Sequence, residues 1–259
     1  MSICIFNEKD VAKIHAKYYN YPIINKNGKK EVEYDKKSLE KISVDNFNFI
    51  VHKNDTCIAD HLRRGELFEK FIVTFVRHFI NPNKNIIDLG ANIGTHSIIY
   101  SNYTNGNVYS FEPQKTVFDI LNKNIELNNC KNIITYNFGG SNVNKTFYMN
   151  ADYEYKENQG AFRIDETLDS TTGLEIECRI IDDLNIENVC YIKIDVEGHE
   201  YETLLGLKKL LIKEHPTLMV EIHNSCPTKN LTFNLLEELG YKTHYRLSHC
   251  DYIFLSPKL

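Results

Sequence analysis

The stretch Asn85-Ile86-Ile87-Asp88-Leu89-Gly90-Ala91-Asn92-Ile93-Gly94 decides how this chain folds. A short apolar run ends in an acidic residue, then comes a turn with two glycines four positions apart and a helix-like segment. About twenty residues further on, a second short strand, Val108-Tyr109-Ser110-Phe111, ends at Glu112 and Pro113. Strand, glycine turn, helix and a second strand with a carboxylate at its end together make the opening unit of a doubly wound sheet.

Working outward, the alternation continues. Strands are expected at 86–89, 107–111, 133–138, 191–195 and 217–223, and helices at 95–103, 115–127, 200–212 and 231–239. Short apolar strands separated by helices imply βαβ units and a mainly parallel sheet with helices on both faces. The end of the chain, 241–247 and 252–255, reads as a hairpin that closes the sheet edge after the helix stop at Gly240. Upstream, Phe47–His52 and Cys57–Ala59 read as the two arms of a hairpin turned at Asn54-Asp55. Glu66 to Ile80 reads as one amphipathic helix. Asp10 to Tyr19 suggests a short helix, and 25–30 a polar turn. Between 146 and 181 strand-like pieces flank a polar loop at Asn158-Gln159-Gly160. Residues 1–46 are expected to be an extension and 47–259 one α/β domain, in a chain of 259 residues.

Composition narrows the classes of function. The chain is 42% hydrophobic and 25% charged, with net charge −5 and a pI near 6.1. That balance argues against a general binder of phosphate backbones, so no nucleic-acid partner is expected. The cysteines (Cys4, Cys57, Cys130, Cys178, Cys190, Cys226 and Cys250) are scattered singly with no C-x-x-C. The odd number and the lack of a recognisable signal peptide point to a reducing compartment, and a cytoplasmic location is expected. No apolar stretch approaches the roughly 20 residues of a membrane span.

The glycine spacing indicates the ligand. A dinucleotide site needs G-x-G-x-x-G to turn around a pyrophosphate. D-x-G-x-x-x-G lacks that turn and suits a nucleoside without phosphates, of which S-adenosylmethionine is the common one. A carboxylate at Glu112 is then placed to accept both ribose hydroxyls.

The motifs resemble those of the FkbM-type methyltransferases. They are Asp88-Leu-Gly-Ala-Asn-Ile-Gly94, Val108-Tyr-Ser-Phe-Glu-Pro113, Asn124-Ile-Glu-Leu-Asn128, Ile181-Asp-Asp-Leu184 and, most specific, Ile192-Lys-Ile-Asp-Val-Glu-Gly-His-Glu200, with Val220-Glu-Ile-His223 behind it. Arg64-Gly-Glu-Leu-Phe-Glu69 is similar to the segment before the family's first helix. The resemblance runs from about residue 47 to the end and implies a Rossmann-like class I methyltransferase fold with a seven-stranded sheet. It also implies O-methylation of sugars or natural products with S-adenosylmethionine. Phe138-Gly139-Gly140-Ser141 departs from the family's alanine-containing segment. The first 45 residues have no counterpart in the family, which leaves the acceptor and the oligomeric state open; a homodimer is compatible with that.

The resemblance and the strand ends nominate the site. Gly65 and Glu66 would close over the methionyl end, with a dipole-favoured helix entry as the alternative for Glu66. Gly90 and Gly94 would bring backbone to the cofactor. Asp88 would hold its ammonium group or cap structure, and Asn92 would touch ligand or form the turn. Glu112 and Pro113 would take the ribose, and Phe138 and Gly139 the adenine. Asp195 ends the fourth strand, where it can meet the cofactor and orient an acceptor hydroxyl. Glu221 and His223 project together from the fifth strand. As an imidazole, His223 is suited to take the acceptor's proton. Glu197 and His199 lie on the turn between, and Glu200 reads as a structural helix start. Asp195, Glu197, Glu221 and His223 also form a donor set that would suit Mg²⁺, yet no spacing demands a metal and none is expected. The acceptor is expected to be a small molecule or glycan, with the 141–175 segment, including Gln159 and Arg163, shaping its pocket. The alternatives are N- or carboxyl methylation of a metabolite or protein, and a catalytically silent S-adenosylmethionine-binding scaffold. A nicotinamide-dependent oxidoreductase fails on the missing third glycine.

Overall fold

The computed structural model describes residues 39–150, 163–165, 167–170 and 172–258. The segments expected at 10–19 and 25–30 and the loop Asn158-Gln159-Gly160 lie outside the described residues.

A seven-stranded sheet carries the molecule. In chain order its strands are β3 (Asn85–Leu89), β4 (Val108–Phe111), β5 (Ile133–Tyr136), β9 (Val189–Ile194), β10 (Thr217–Glu221), β11 (His244–Arg246) and β12 (Asp251–Phe254). Across the sheet they run β11-β12-β10-β9-β3-β4-β5. The pairs joining β10, β9, β3, β4 and β5 are parallel, and β12 runs antiparallel to both β10 and β11. The expected mostly parallel sheet with a terminal hairpin is the one observed. Its strand order reverses between β3 and β9, and that switch point opens a crevice at the carboxyl ends of the two strands.

Alternation along each strand feeds two cores. Ile86, Val108, Tyr191 and Met219 point into one, while Ile87, Ile192, Leu218 and Val220 point into the other. The first core is covered by α1 (Ile58–Arg63), α2 (Lys70–Val76), α3 (Thr95–Tyr100) and α4 (Lys115–Leu127). The second is covered by α5 (Glu200–Gly206), α6 (Lys208–Glu214) and α7 (Lys229–Glu238).

The N-terminal hairpin differs from the expected one. The strand β2 (Phe47–His52) pairs with β1 (Leu39–Val44), not with Cys57–Ala59. Asp55 prevents the latter by accepting the N–H groups of Cys57 and Ala59, both at 2.9 Å, which starts α1 instead of a strand. The boundary expected after residue 46 falls inside this hairpin turn. Two asparagines one turn apart, Asn124 within α4 and Asn128 capping its end, hold the hairpin in place. Asn124 accepts from Ile50 N (2.6 Å) and donates to Ile50 O (3.1 Å) and Ile93 O (2.9 Å). Asn128 accepts from Asn48 N (2.8 Å) and donates to Asn48 O (2.6 Å). Each amide therefore stands in for a neighbouring strand along the edge of β2.

The helix expected from Glu66 begins only at Lys70, and the one expected over 200–212 breaks at Leu207. A Cβ on Gly206 would lie 2.0 Å from the Ser141 carbonyl oxygen, so the backbones meet there. Asp182 then starts α6 by accepting from Lys209 N and Leu210 N at 2.8 and 3.0 Å. A second, three-stranded sheet fills the region where alternation was lost. It is built from β6 (Gly139–Gly140), β7 (Lys145–Asn150) and β8 (Gly173–Arg179), in the order β6-β8-β7.

Candidate active site

A cleft opens at the switch point, lined by Gly90, Asn92, Glu112 and Pro113 on one side and Asp195, Val196, Glu197 and His199 on the other. Its floor and far wall are Val117, Gly139 and Gly140 with Met149, Ile164, Ile176 and Cys178 of the small sheet. The departure Phe138-Gly139-Gly140-Ser141 has a physical reason here. A Cβ on Gly139 would sit 3.1 Å from Cys178 Sγ, and one on Gly140 would sit 2.9 Å from Thr203 Cγ2. The paired glycines let β6 run parallel to β8 and bring the apolar wall against the cleft.

Gly90 is required twice over. Its φ is +77°, and an added Cβ would lie 1.7 Å from the Asp195 carbonyl oxygen. The turn is held by Phe111 O, which accepts from Gly90 N and Ala91 N at 3.0 and 2.9 Å. Glu112 is 8% exposed, and each of its oxygens accepts one backbone N–H: Oε2 from Asn92 at 3.0 Å and Oε1 from Gln114 at 2.8 Å. Burial raises its pKa to about 7 despite those two hydrogen bonds. Asn137 braces the same turn by donating to Glu112 O and Pro113 O.

Several expected residues lie elsewhere. Asp88 is fully buried and off the cleft wall, accepting from Ser97 Oγ at 2.5 Å and lying 3.5 Å from Lys193 Nζ. Gly94 caps α3 with φ +89° and packs on Leu121; it forms no part of the cleft wall. Phe138 sits behind the wall, edge-on to Phe111 and under the Arg179 guanidinium. Gly65 and Glu66 are also off the wall, and Glu66 pairs weakly with Arg64 at 3.9 Å. The inward-facing acid of that segment is Glu69, which takes a left-handed φ of +48° at the start of α2 and meets the buried His96 at 3.2 Å. The offset from Glu66 follows from the helix starting at Lys70.

Strand ends bring the remaining residues together. His223 Nε2 lies 3.3 Å from Glu221 Oε2, while Val220 and Ile222 are buried on the opposite face, as the alternation predicts. Glu221 presents an oxygen within 4.8 Å of one from Asp195 and accepts from Cys250 Sγ at 3.2 Å. Glu197 has a left-handed φ of +53°, and burial with the nearby Asp195 charge raises its pKa to about 7, against the charge of Arg163. His199 meets Ser141 Oγ at 3.0 Å. Glu200 is buried and accepts from Gly198 N at 2.7 Å, the helix-start role read for it. Asp195, Glu197 and Glu221 each present an oxygen, all within 4.8 Å of one another, a spacing a hard cation could use. Lys193 already answers Asp195, so these residues are not assigned as metal ligands.

Lys193 is the charged residue at this site that the sequence motifs did not single out. It is 2% exposed on the central strand β9, and its Nζ reaches Asp195 Oδ2 at 3.1 Å, Asp88 Oδ1 at 3.5 Å and the Gly90 carbonyl at 3.0 Å. A lysine inside an apolar central strand was the available signal, since an unpaired charge there is costly.

The motif order and the strand order coincide in one family. The model described as Methyltransferase FkbM domain matches residues 88–252. The chain belongs to that family. Hexuronic acid methyltransferase AglP of Haloferax volcanii is 30% identical over 157 residues, which is 60% of this chain and 62% of that protein. The chain thus matches less than two thirds of that relative's length. Methyltransferase sdnD of Sordaria araneosa is 24% identical over 191 residues, covering 61% of this chain and 74% of that one. The crystal structure of Methyltransferase FkbM from Methylobacillus flagellatus KT aligns with a TM-score of 0.48 at 18% identity, over 68% of this chain and 44% of that chain. Among the described residues of this FkbM domain, no helix is long and apolar enough to cross a membrane.

Proposed function

We propose that this FkbM domain is an S-adenosylmethionine-dependent O-methyltransferase acting on a hydroxyl of a sugar, nucleotide sugar or glycoconjugate. The observation that carries the proposal is Glu112, a buried carboxylate on the cleft wall. Each of its oxygens holds one backbone N–H and keeps a further acceptor site for a ribose hydroxyl. The glycine-walled turn at Gly90 and the apolar wall of Val117, Met149, Ile164 and Ile176 suit a nucleoside and its base. S-adenosylmethionine, when bound, supplies a methyl activated by a sulfonium, so the protein's part is placement and proton management.

Asp195 and Glu197 line the cleft, where a carboxylate accepts a hydrogen bond from the acceptor hydroxyl and orients it. His223, 31% exposed beside Glu221, is the group for the departing proton. The AglP relative, named for a hexuronic acid, supports a sugar acceptor. Net charge −5 supports a small-molecule or glycan acceptor over nucleic acid. Because Lys193 supplies the positive charge facing Asp195, turnover in this reading needs no Mg²⁺. A cytoplasmic location fits the scattered cysteines.

Calorimetric titration with S-adenosylhomocysteine, on wild type and on Glu112→Ala, tests the proposal. Micromolar binding in the wild type, weakened at least tenfold by the substitution, is the expected result. A folded wild type that does not bind overturns the reading.

A further inference from the structure

Carboxylate oxygens of Asp195 and Glu221 lie within 4.8 Å of each other, so the two charges oppose one another and the pair favours one protonated member. Geometry decides which. Lys193 Nζ lies 3.1 Å from Asp195 Oδ2 and is itself buried, so its charge acts on Asp195 with little screening. Glu221 has no cation at that distance among the described residues. It faces Asp195, the Cys250 thiol at 3.2 Å and the His223 ring at 3.3 Å.

The wider surroundings pull the same way. Glu197 on the turn adds negative charge next to Glu221. Asp88 on β3 and Glu69 at the start of α2 face Lys193 and keep it charged. His96 on α3 acts on Asp195, while Asp251 on β12 and Glu200 on α5 are further acids that feel Asp195.

We infer that Lys193 is a positioning residue for the proposed transfer. It holds Asp195 as the charged member of a close carboxyl pair, leaves the proton on Glu221, and ties Asp195 to the Gly90 turn. The inference rests on the methyltransferase reading of the cleft. Its directions agree with the local electrostatics. Burial works to raise the Asp195 pKa, but Lys193 leads the groups that lower it, and the pKa lies below its ordinary value. For Glu221, burial and then the Asp195 charge push the pKa up.

The division of labour follows. Asp195 is a fixed, ionised acceptor that orients a hydroxyl and is too weakly basic to deprotonate it. Glu221, being neutral, adds no further negative charge beside Asp195. His223 is then the group free to receive the proton. Lys193, held by Asp88 from behind, also fixes the Gly90 carbonyl at 3.0 Å, so the cofactor turn and the acceptor acid move as one unit.

The test reads the protons directly, on the full chain without ligand. Side-chain carboxyl ¹³C shifts are followed with pH, and Glu221→Gln and Asp195→Asn supply the assignments. The expected result is a Glu221 signal of a neutral acid at about pH 8 and an Asp195 signal still ionised at about pH 5. In Lys193→Met the Asp195 transition should move up by more than about one pH unit, with Lys193→Arg restoring most of the shift. An ionised Glu221 or a protonated Asp195 at about pH 8 in the wild type overturns the inference, and that comparison stands even if Lys193→Met does not fold. An unmoved Asp195 transition in folded Lys193→Met also overturns it. Failure to bind S-adenosylhomocysteine with these titrations intact would count against the methyltransferase reading alone.

Discussion

A carboxyl group buried at a strand end needs something to answer its charge, and Glu112 is answered by two backbone amides in place of a cation. Its pKa of about 7 makes cofactor binding a titration. Hydroxyl donors favour the ionised form, so affinity is full above that pH and falls below it, by up to about tenfold per pH unit. Calorimetry with S-adenosylhomocysteine between about pH 8 and pH 5.5 should follow that slope, and a flat profile would mean that Glu112 does not hold the ligand. Lys193 shows the opposite solution to the same cost. Burial would lower its pKa, but Asp195 and Asp88 raise it, so the ammonium stays charged inside the sheet.

The N-terminal hairpin depends at the element scale on α4 more than on its own turn. Asn124 is fully buried and satisfies both backbone groups of Ile50 and the Ile93 carbonyl of the cofactor loop. Asn124→Ala would strand those groups without water. We expect a loss of about 2–4 kcal/mol in urea unfolding, since a buried unsatisfied backbone group costs about 1–3 kcal/mol. A change under about 0.5 kcal/mol would show that the hairpin is held by its apolar face alone. The same amide geometry explains why the block Asn124-Ile-Glu-Leu-Asn128 carries asparagines four residues apart: one helical turn matches successive outward backbone pairs of β2.

Over the whole molecule, the charge distribution is dominated by acids gathered where the parallel strands end. Burial raises Glu112, Glu197 and Glu200 to about 7 and Asp251 to about 6, all above their unfolded values. The folded state therefore binds more protons than the unfolded chain between the ordinary carboxyl range and about pH 7. That stabilisation is lost as pH rises through the folded values. Thermal unfolding should thus give a higher Tm at about pH 6.5 than at about pH 8, opposite in direction to the ligand affinity. His52 and His244, whose pKa values burial lowers, work against this only further toward acid. A Tm that rises toward pH 8 would contradict the buried-acid picture.

The order of elements, the parallel sheet and its closing hairpin were legible in the sequence because local periodicity and glycine spacing are local properties. Gly90, Glu112 and Asp195 on the cleft wall were legible too, since each directly follows a strand, as was the pairing of Glu221 with His223 at the end of β10. The rest was decided by contacts between segments far apart in the chain. Asp55 turned a would-be strand into α1, and Asp182 with the Gly206–Ser141 contact split one helix into two. Helix α2 begins at Lys70, four residues later than expected, and the acid at its entry that reaches His96 is Glu69, not Glu66. Tertiary structure alone placed Asp88 off the cleft wall and Lys193 between two acids. A strand's sequence fixes the alternation of its faces, whereas the charge a buried side chain meets is set by the neighbouring strands.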